Sequence, residues 1–380
     1  MKLSNCLFVF ICSVNMLNAQ ISSVYDTHRY LSLIEGQRVG LVVNHSSIIY
    51  DTHLIDSLIN LNIQIKAIFS PEHGFFGNLS AGELFNNSLY NDSIPVISLY
   101  GKNKKPSNSS LIDIDLVIFD IQDVGVRFYT FISTLHYVME ACAENSIKLI
   151  VLDRPNLHSN YVDGPILNKD YLSFVGMHPV PIVYGMTIGE YASMINGERW
   201  ISELCDLLVL PMIGYKRDSI YEFEVRPSPN LPNINAIALY PSLCLFEGTN
   251  VSVGRGTLFP FQHFGSPYLK SDYSFTPKSN AGSKNPKYEN VTCFGLDLRN
   301  FHPYNDLNLN NKIELKWLLE SYNNSPNKHL FFNDFFDKLA GSSKLRLQIL
   351  DGMTIEEIKA SWNQGILDFK KIRKRYLLYN

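Results

Sequence analysis

Short apolar runs alternate with amphipathic stretches through the first two thirds of the chain. Residues 38–43, 63–69, 95–99, 114–119, 147–152, 181–184 and 207–210 are compact runs rich in β-branched and aromatic residues, bounded by turn formers. That is the pattern of strands buried on both faces. Between them, apolar positions recur every three to four residues over 129–144 and 187–196, which predicts helices, and Asp51 is placed to cap another. Strand–helix alternation of this kind predicts an α/β fold with a Rossmann-like, mostly parallel sheet and helices on both faces. The glycine fingerprint of a dinucleotide site is missing from the sequence.

Beyond residue 254 the texture changes. Residues 270–288 are rich in Ser, Asn, Lys and Pro and predict a long exposed loop. A strand over 292–298 and a helix over 312–322 follow. Thr354 and Glu357 form a capping-box pattern that opens a last helix, expected to run to 377. Its terminal cations, Lys370, Lys371, Arg373, Lys374 and Arg375, suit the helix dipole better than an anionic partner. The division expected is 1–19, 20–254 and 255–380, the last segment a smaller α+β unit.

The first segment has the composition of a secretory signal. Lys2, the apolar stretch 7–14 and Leu17-Asn18-Ala19 before Gln20 supply its three regions. Export to a periplasm is therefore expected. No later segment approaches the roughly 20 apolar residues of a spanning helix, so no membrane span is expected. A net charge of −3 over 380 residues, without a basic block, argues against a nucleic-acid partner. Cys142, Cys205, Cys244 and Cys293 are far apart in apolar surroundings and are expected as buried free thiols.

Candidate chemistry collects at predicted strand ends, where open α/β sheets bind ligands. Pro71 stops the strand over 63–69, and Glu72 and His73 follow, with Gly74 and Gly77 allowing a sharp turn. A carboxyl beside an imidazole there is acid–base equipment, and Phe75 and Phe76 are expected to shield it from water. Asp120, Gln122, Asp123 and Arg127 follow the next strong strand, and Asp153, Arg154 and Asn156 the one after. Asp123 serves equally as a helix cap paired with Arg127 or as a site carboxylate. Three such ends in succession point to a shared polar crevice. Glu190 completes a capping box with Thr187, which favours a structural role. The proline-rich stretch 226–232, containing Asn230, suits a stiff pocket wall, and Glu247 and Arg255 lie among further glycines.

Taken together these segments resemble the bacterial exo-β-N-acetylmuramidase family, the NamZ-like glycoside hydrolases that were formerly a domain of unknown function. GLVVNHSS (40–47), SPEHGFFG (70–77), FDIQDVGVRFYTFISTL (119–135), LDRPN (152–156), VDGP (162–165), YGMTIGE (184–190), RPSPNLP (226–232) and LYPSLCLFEGTNVSVGRGT (239–257) carry the resemblance. It implies a Rossmann-like catalytic domain with a C-terminal auxiliary domain and a site near their junction. It further implies removal of terminal, non-reducing β-linked N-acetylmuramic acid (MurNAc) from peptidoglycan fragments, with no cofactor and no metal. The family's catalytic glutamate maps onto Glu72; Asp120, Asp123, Glu190 and Glu247 are candidates for its partner. His45 departs from the family's usual Gln. Glycoside cleavage needs an acid and commonly a second carboxylate, although the sugar's own acetamido group is an alternative nucleophile. The lactyl carboxylate of MurNAc calls for a cation, with Arg127 first, then Arg255, then Arg154. Two rival readings are a metal-dependent hydrolase using His73, Asp120 and Asp153, and a non-catalytic muropeptide-binding protein.

Overall fold

A computed structural model describes residues 21–80, 82–84, 87–219, 221, 223, 225–301 and 312–380; the signal-like segment 1–19 lies outside them. Strand β1 (Arg38–Val43) leads into a small hairpin of β2 (Ile48–Ile49) and β3 (Thr52–His53). Then come β4 (Gln64–Ser70), β5 (Ser88–Tyr90), β6 (Ile94–Ser98), β7 (Leu116–Asp120), β8 (Lys148–Leu152) and β9 (Leu207–Leu210). These build one sheet in the order β5-β6-β4-β1-β7-β8-β9, with β5 an antiparallel edge and the other pairings parallel. The chain places β4 and β6 on one side of β1, then returns to lay β7, β8 and β9 on the other.

The strands read as continuous apolar runs because both faces are covered. Val42, Phe69, Phe119 and Val151 point into one apolar layer, with the helices Phe131–Glu144 and Ile188–Gly197. Their neighbours Leu41, Ile68, Ile118 and Ile150 point into the other, against the helices Thr27–Ile34 and Leu54–Asn60. The second unit holds a three-stranded antiparallel sheet, β10 (His263–Ser266), β12 (Cys293–Asp297) and β11 (Tyr273–Phe275), in the order β10-β12-β11. The helices Lys316–Asn323, Phe335–Ala340, Lys344–Leu350, Ile355–Ala360 and Asn363–Arg373 complete it.

Several local expectations change. Residues 181–184 make only bridges, Val183 with Val126 and Asp163, and do not join the sheet. Asp51 sits at the hairpin turn, and His53 caps the helix instead, its Nδ1 accepting from the Ile55 amide. The stretch 270–288 is not a free loop: it contains β11, and Lys287 donates to the carbonyls of Phe246, Thr249 and Val251. The last helix opens with the expected Thr354–Glu357 capping box but breaks at Ser361–Trp362 and ends in a short 3₁₀ turn, Lys374–Tyr376. All four cysteines of the described chain are free and buried.

Candidate active site

A cavity of about 570 Å³ opens above the carboxyl ends of β4 and β6 and the start of the helix Phe131–Glu144. That volume falls within the range of about 300–1,000 Å³ typical of small-ligand sites. Glu72 and His73 come from the turn after β4, Tyr100 and Lys104 from the loop after β6, and Tyr129 and Thr130 from the helix start. The 226–232 loop contributes Ser228, Asn230 and Leu231, and Glu247, Arg255, Phe261 and Phe335 close the cavity from later in the chain.

Glu72 is buried and held by three donors. Thr130 Oγ1 donates to Oε2 at 2.7 Å and the Gly82 amide to Oε1 at 3.1 Å. The Tyr100 hydroxyl bonds the same carboxylate; burial first, then the charge of Glu72, push that phenol's pKa up. Thr130 is the N-cap residue of the helix Phe131–Glu144 but spends its hydroxyl on Glu72 instead of on a helix amide. The Glu72 carboxyl group is thereby fixed at the start of that helix.

His73 adopts a left-handed backbone conformation, φ 72°, which is costly for a residue with a Cβ and recurs at functional sites. Its Nδ1 donates to the Leu79 carbonyl at 2.9 Å, and burial lowers the imidazole pKa. The ring is thus neutral, with Nε2 left as an acceptor. Gly77 completes the turn because the His45 ring lies where its Cβ would be, 1.8 Å from Nδ1. His45 Nε2 in turn donates to the Arg226 carbonyl at 2.7 Å, tying the turn to the proline-rich loop.

Opposite this turn, Arg255 Nε donates to Glu247 Oε2 at 3.0 Å, and its guanidinium lies 5.0 Å from the Phe261 ring centroid. Gly256, at φ 80°, lets this segment pass 2.6 Å (Cβ position to oxygen) from the Lys278 carbonyl, an approach any side chain would block. Asn230 donates to the Gly282 carbonyl at 2.7 Å.

Of the residues singled out in the sequence, Glu72, His73, Asn230, Glu247 and Arg255 line this cavity. The others lie elsewhere, so the single crevice expected from three strand ends is not what forms. Asp120 and Arg154 make a buried bidentate ion pair, Nε–Oδ1 2.5 Å and Nη2–Oδ2 2.8 Å, at the end of β7. Gln122 donates to the Asp123 and Pro155 carbonyls. Asp123 is fully enclosed, accepting from the Gly125 amide at 2.7 Å and from the Tyr184 hydroxyl; burial lifts its pKa to about 6. Arg127 is a correction to its rank as first reader of a lactyl group. It is completely buried, its Nη atoms donate to the carbonyls of Pro165, Val180 and Leu339, and burial pulls it down to about 9. Glu190 forms the expected capping box with Thr187 and also accepts from Arg217 and the Leu378 amide. Phe75 and Phe76 do not supply the shield expected around Glu72: Phe75 packs toward His53 and Tyr90, Phe76 is exposed, and the aromatics beside Glu72 in the cavity are Tyr100 and Tyr129. His73 bonds the Leu79 carbonyl, Asp120 pairs with Arg154, and Asp153 accepts from Thr187 and Tyr379, so these three do not come together as the ligand set of the metal reading.

Asp153 accepts from the Arg154 and Gly189 amides, Thr187 Oγ1 and the Tyr379 hydroxyl, yet burial still pushes it up to about 7. The folded state then binds more protons than the unfolded chain between about pH 3.9 and 7. This contribution is complete below the unfolded pKa and lost as pH rises through 7. Asp153→Asn removes it. Between pH 5 and 8 the wild type is expected to lose roughly 2–3 kcal/mol relative to the variant. Unfolding free energies from urea titrations of both proteins at the two pH values measure the difference; parallel pH profiles would refute the assignment.

The sequence comparisons join both halves of this site. Residues 39–235 match the family model described as exo-β-N-acetylmuramidase NamZ, N-terminal, and 238–379 match its C-terminal counterpart. The chain belongs to the exo-β-N-acetylmuramidase NamZ family. It is 38% identical over 379 residues to the peptidoglycan β-N-acetylmuramidase NamZ of Bacillus subtilis (strain 168), covering 92% of this chain and 89% of that one. Two crystal structures of DUF1343-family proteins from Bacteroides fragilis NCTC 9343 are similar throughout. One has a TM-score of 0.87 at 43% identity, covering 95% of this chain and 99% of the other. The second has a TM-score of 0.82 at 28% identity, covering 96% and 100%. Both family models contribute to the cavity, Glu72 from the first and Glu247 with Arg255 from the second.

Sequence reasoning missed Tyr100, Lys104, Thr130 and Phe174, all of which line the cavity. Tyr100 and Lys104 follow the apolar run 95–99 at the same sheet edge as Glu72, a signal present but unused. Phe174 lies in a segment without periodicity, and no local pattern marks it.

Proposed function

We propose that this protein is an exo-β-N-acetylmuramidase that hydrolyses terminal β-linked MurNAc from peptidoglycan fragments in cell-wall recycling. The observation that supports this reading is one cavity lined by both Glu72 and a second, Arg-held carboxylate, Glu247, in a chain of this family. Glu72 gives its proton to the glycosidic oxygen as the bond to C1 breaks. Glu247 acts on the C1 side, as base for water or as nucleophile, and Arg255 orients it. Neutral His73 and Asn230 accept or donate to sugar hydroxyls. The signal-like segment 1–19 and the extracytoplasmic origin of the substrate support a periplasmic location.

Chromogenic β-MurNAc and β-N-acetylglucosaminide (β-GlcNAc) glycosides, assayed side by side, test the reading. Cleavage of the MurNAc compound at a rate at least about tenfold higher is expected. Equal or faster cleavage of the GlcNAc compound removes the case for a muramidase. Binding of MurNAc–GlcNAc without release of sugar supports the non-catalytic reading instead.

A further inference from the structure

The cavity wall carries two cations, and they are not equivalent. Arg255 already has a carboxylate at Glu247. Lys104 has none: among the described residues no Asp or Glu lies within ion-pair distance of its ammonium, whereas its neighbour Lys105 pairs with both Glu140 and Glu144. Lys104 Nζ instead rests 4.9 Å from the Phe174 ring centroid, and Phe174 is also a cavity residue. An aromatic face holds a cation loosely and gives it up to a carboxylate, which offers full charge and hydrogen-bond acceptors. The loop that carries Lys104 is anchored at its start by Tyr100, whose hydroxyl bonds Glu72. The ammonium is therefore tied to the wall that holds the proposed acid. The remaining arginines of the sequence-based ranking are spent, Arg154 on Asp120 and Arg127 on three backbone carbonyls.

We infer that Lys104 is the specificity determinant that reads the lactyl carboxylate of MurNAc, and that Phe174 parks its ammonium while the site is empty. The inference rests on the muramidase reading and deepens it. On binding, the ammonium donates to the sugar's carboxylate. A lactyl amide, the form present when a peptide is attached, carries no charge and is read poorly.

Lys104→Met keeps the aliphatic stem and removes the charge; Lys104→Arg restores a cation, and Lys102→Met, at an exposed position outside the cavity, is the control. The preference of kcat/KM for β-MurNAc over β-GlcNAc is expected to fall about 10- to 100-fold in Lys104→Met, as for a lost hydrogen bond to a charged group. The loss should fall chiefly on KM, and Lys104→Arg should recover part of it. Converting the lactyl acid to its methylamide should harm the wild type by a similar factor but add little in Lys104→Met, the non-additivity expected of direct partners. Unchanged discrimination in folded Lys104→Met overturns the inference, as does full additivity. Calorimetric binding of free MurNAc and GlcNAc to wild type and variant provides the same comparison without turnover. Failure of the wild type to hydrolyse any β-MurNAc glycoside would overturn the enzymatic reading, and the binding preference would still decide for or against Lys104.

Discussion

Glu72→Gln is expected to lower turnover of a β-MurNAc glycoside by about 10²- to 10⁴-fold, the usual range for one positioned acid or base. Glutamine preserves shape and can still accept from Thr130 Oγ1 through its amide oxygen. Its amide nitrogen cannot accept the second of the Thr130 and Gly82 hydrogen bonds, and it has no acidic proton to give to a leaving oxygen. Substrate affinity should change far less than turnover, because the lost interaction belongs to the transition state. Steady-state kinetics on the folded variant, with circular dichroism as the fold control, measure this. A rate within threefold of wild type would move the acid elsewhere in the cavity, with Glu247 next in line.

The second large effect concerns stability. Arg154→Met is expected to destabilise the protein by about 3–5 kcal/mol, because it leaves the fully buried Asp120 carboxylate without its cation. Removing both charges in Asp120→Asn/Arg154→Met should recover much of that loss, since the cost lies in the unpaired charge rather than in the missing pair. Urea denaturation of the two single variants and the double variant measures the coupling. Additive losses would show that the pair is not a unit and would reopen a functional role for Asp120.

Why Asp120 and Arg154 looked like site residues is instructive. The sequence places acidic and Arg-bearing loops after the strands β4, β7 and β8, and their parallel order puts all three loops along the carboxyl ends of the sheet. Periodicity and strand-end position are local properties, and they located β1, β4, β7, β8 and the helix Phe131–Glu144 correctly. Whether a strand-end carboxylate faces a ligand or another side chain depends on what packs above it, which is a long-range property. Arg154 answers Asp120 from 34 positions away, and Tyr379 answers Asp153 from 226. The turn at Glu72 and His73 was legible because Pro71, Gly74 and Gly77 force it locally. Lys104 was legible by the same strand-end logic and went unused, whereas Phe174 was not, because its part in the cavity comes from the approach of a separate loop. The short strand β5 and the hairpin β2–β3 escaped for a different reason: each is too brief to show a period.

The bonds from the Tyr379 hydroxyl to Asp153 and from the Leu378 amide to Glu190 make the end of the chain a clasp on the larger unit. Two buried carboxyls, one after β8 and one in the helix Ile188–Gly197, have their full set of donors only while residues 378 and 379 are docked. Releasing that tail would leave both groups short of a partner. The few residues that close the smaller unit thus also hold the far half of the sheet in the larger one.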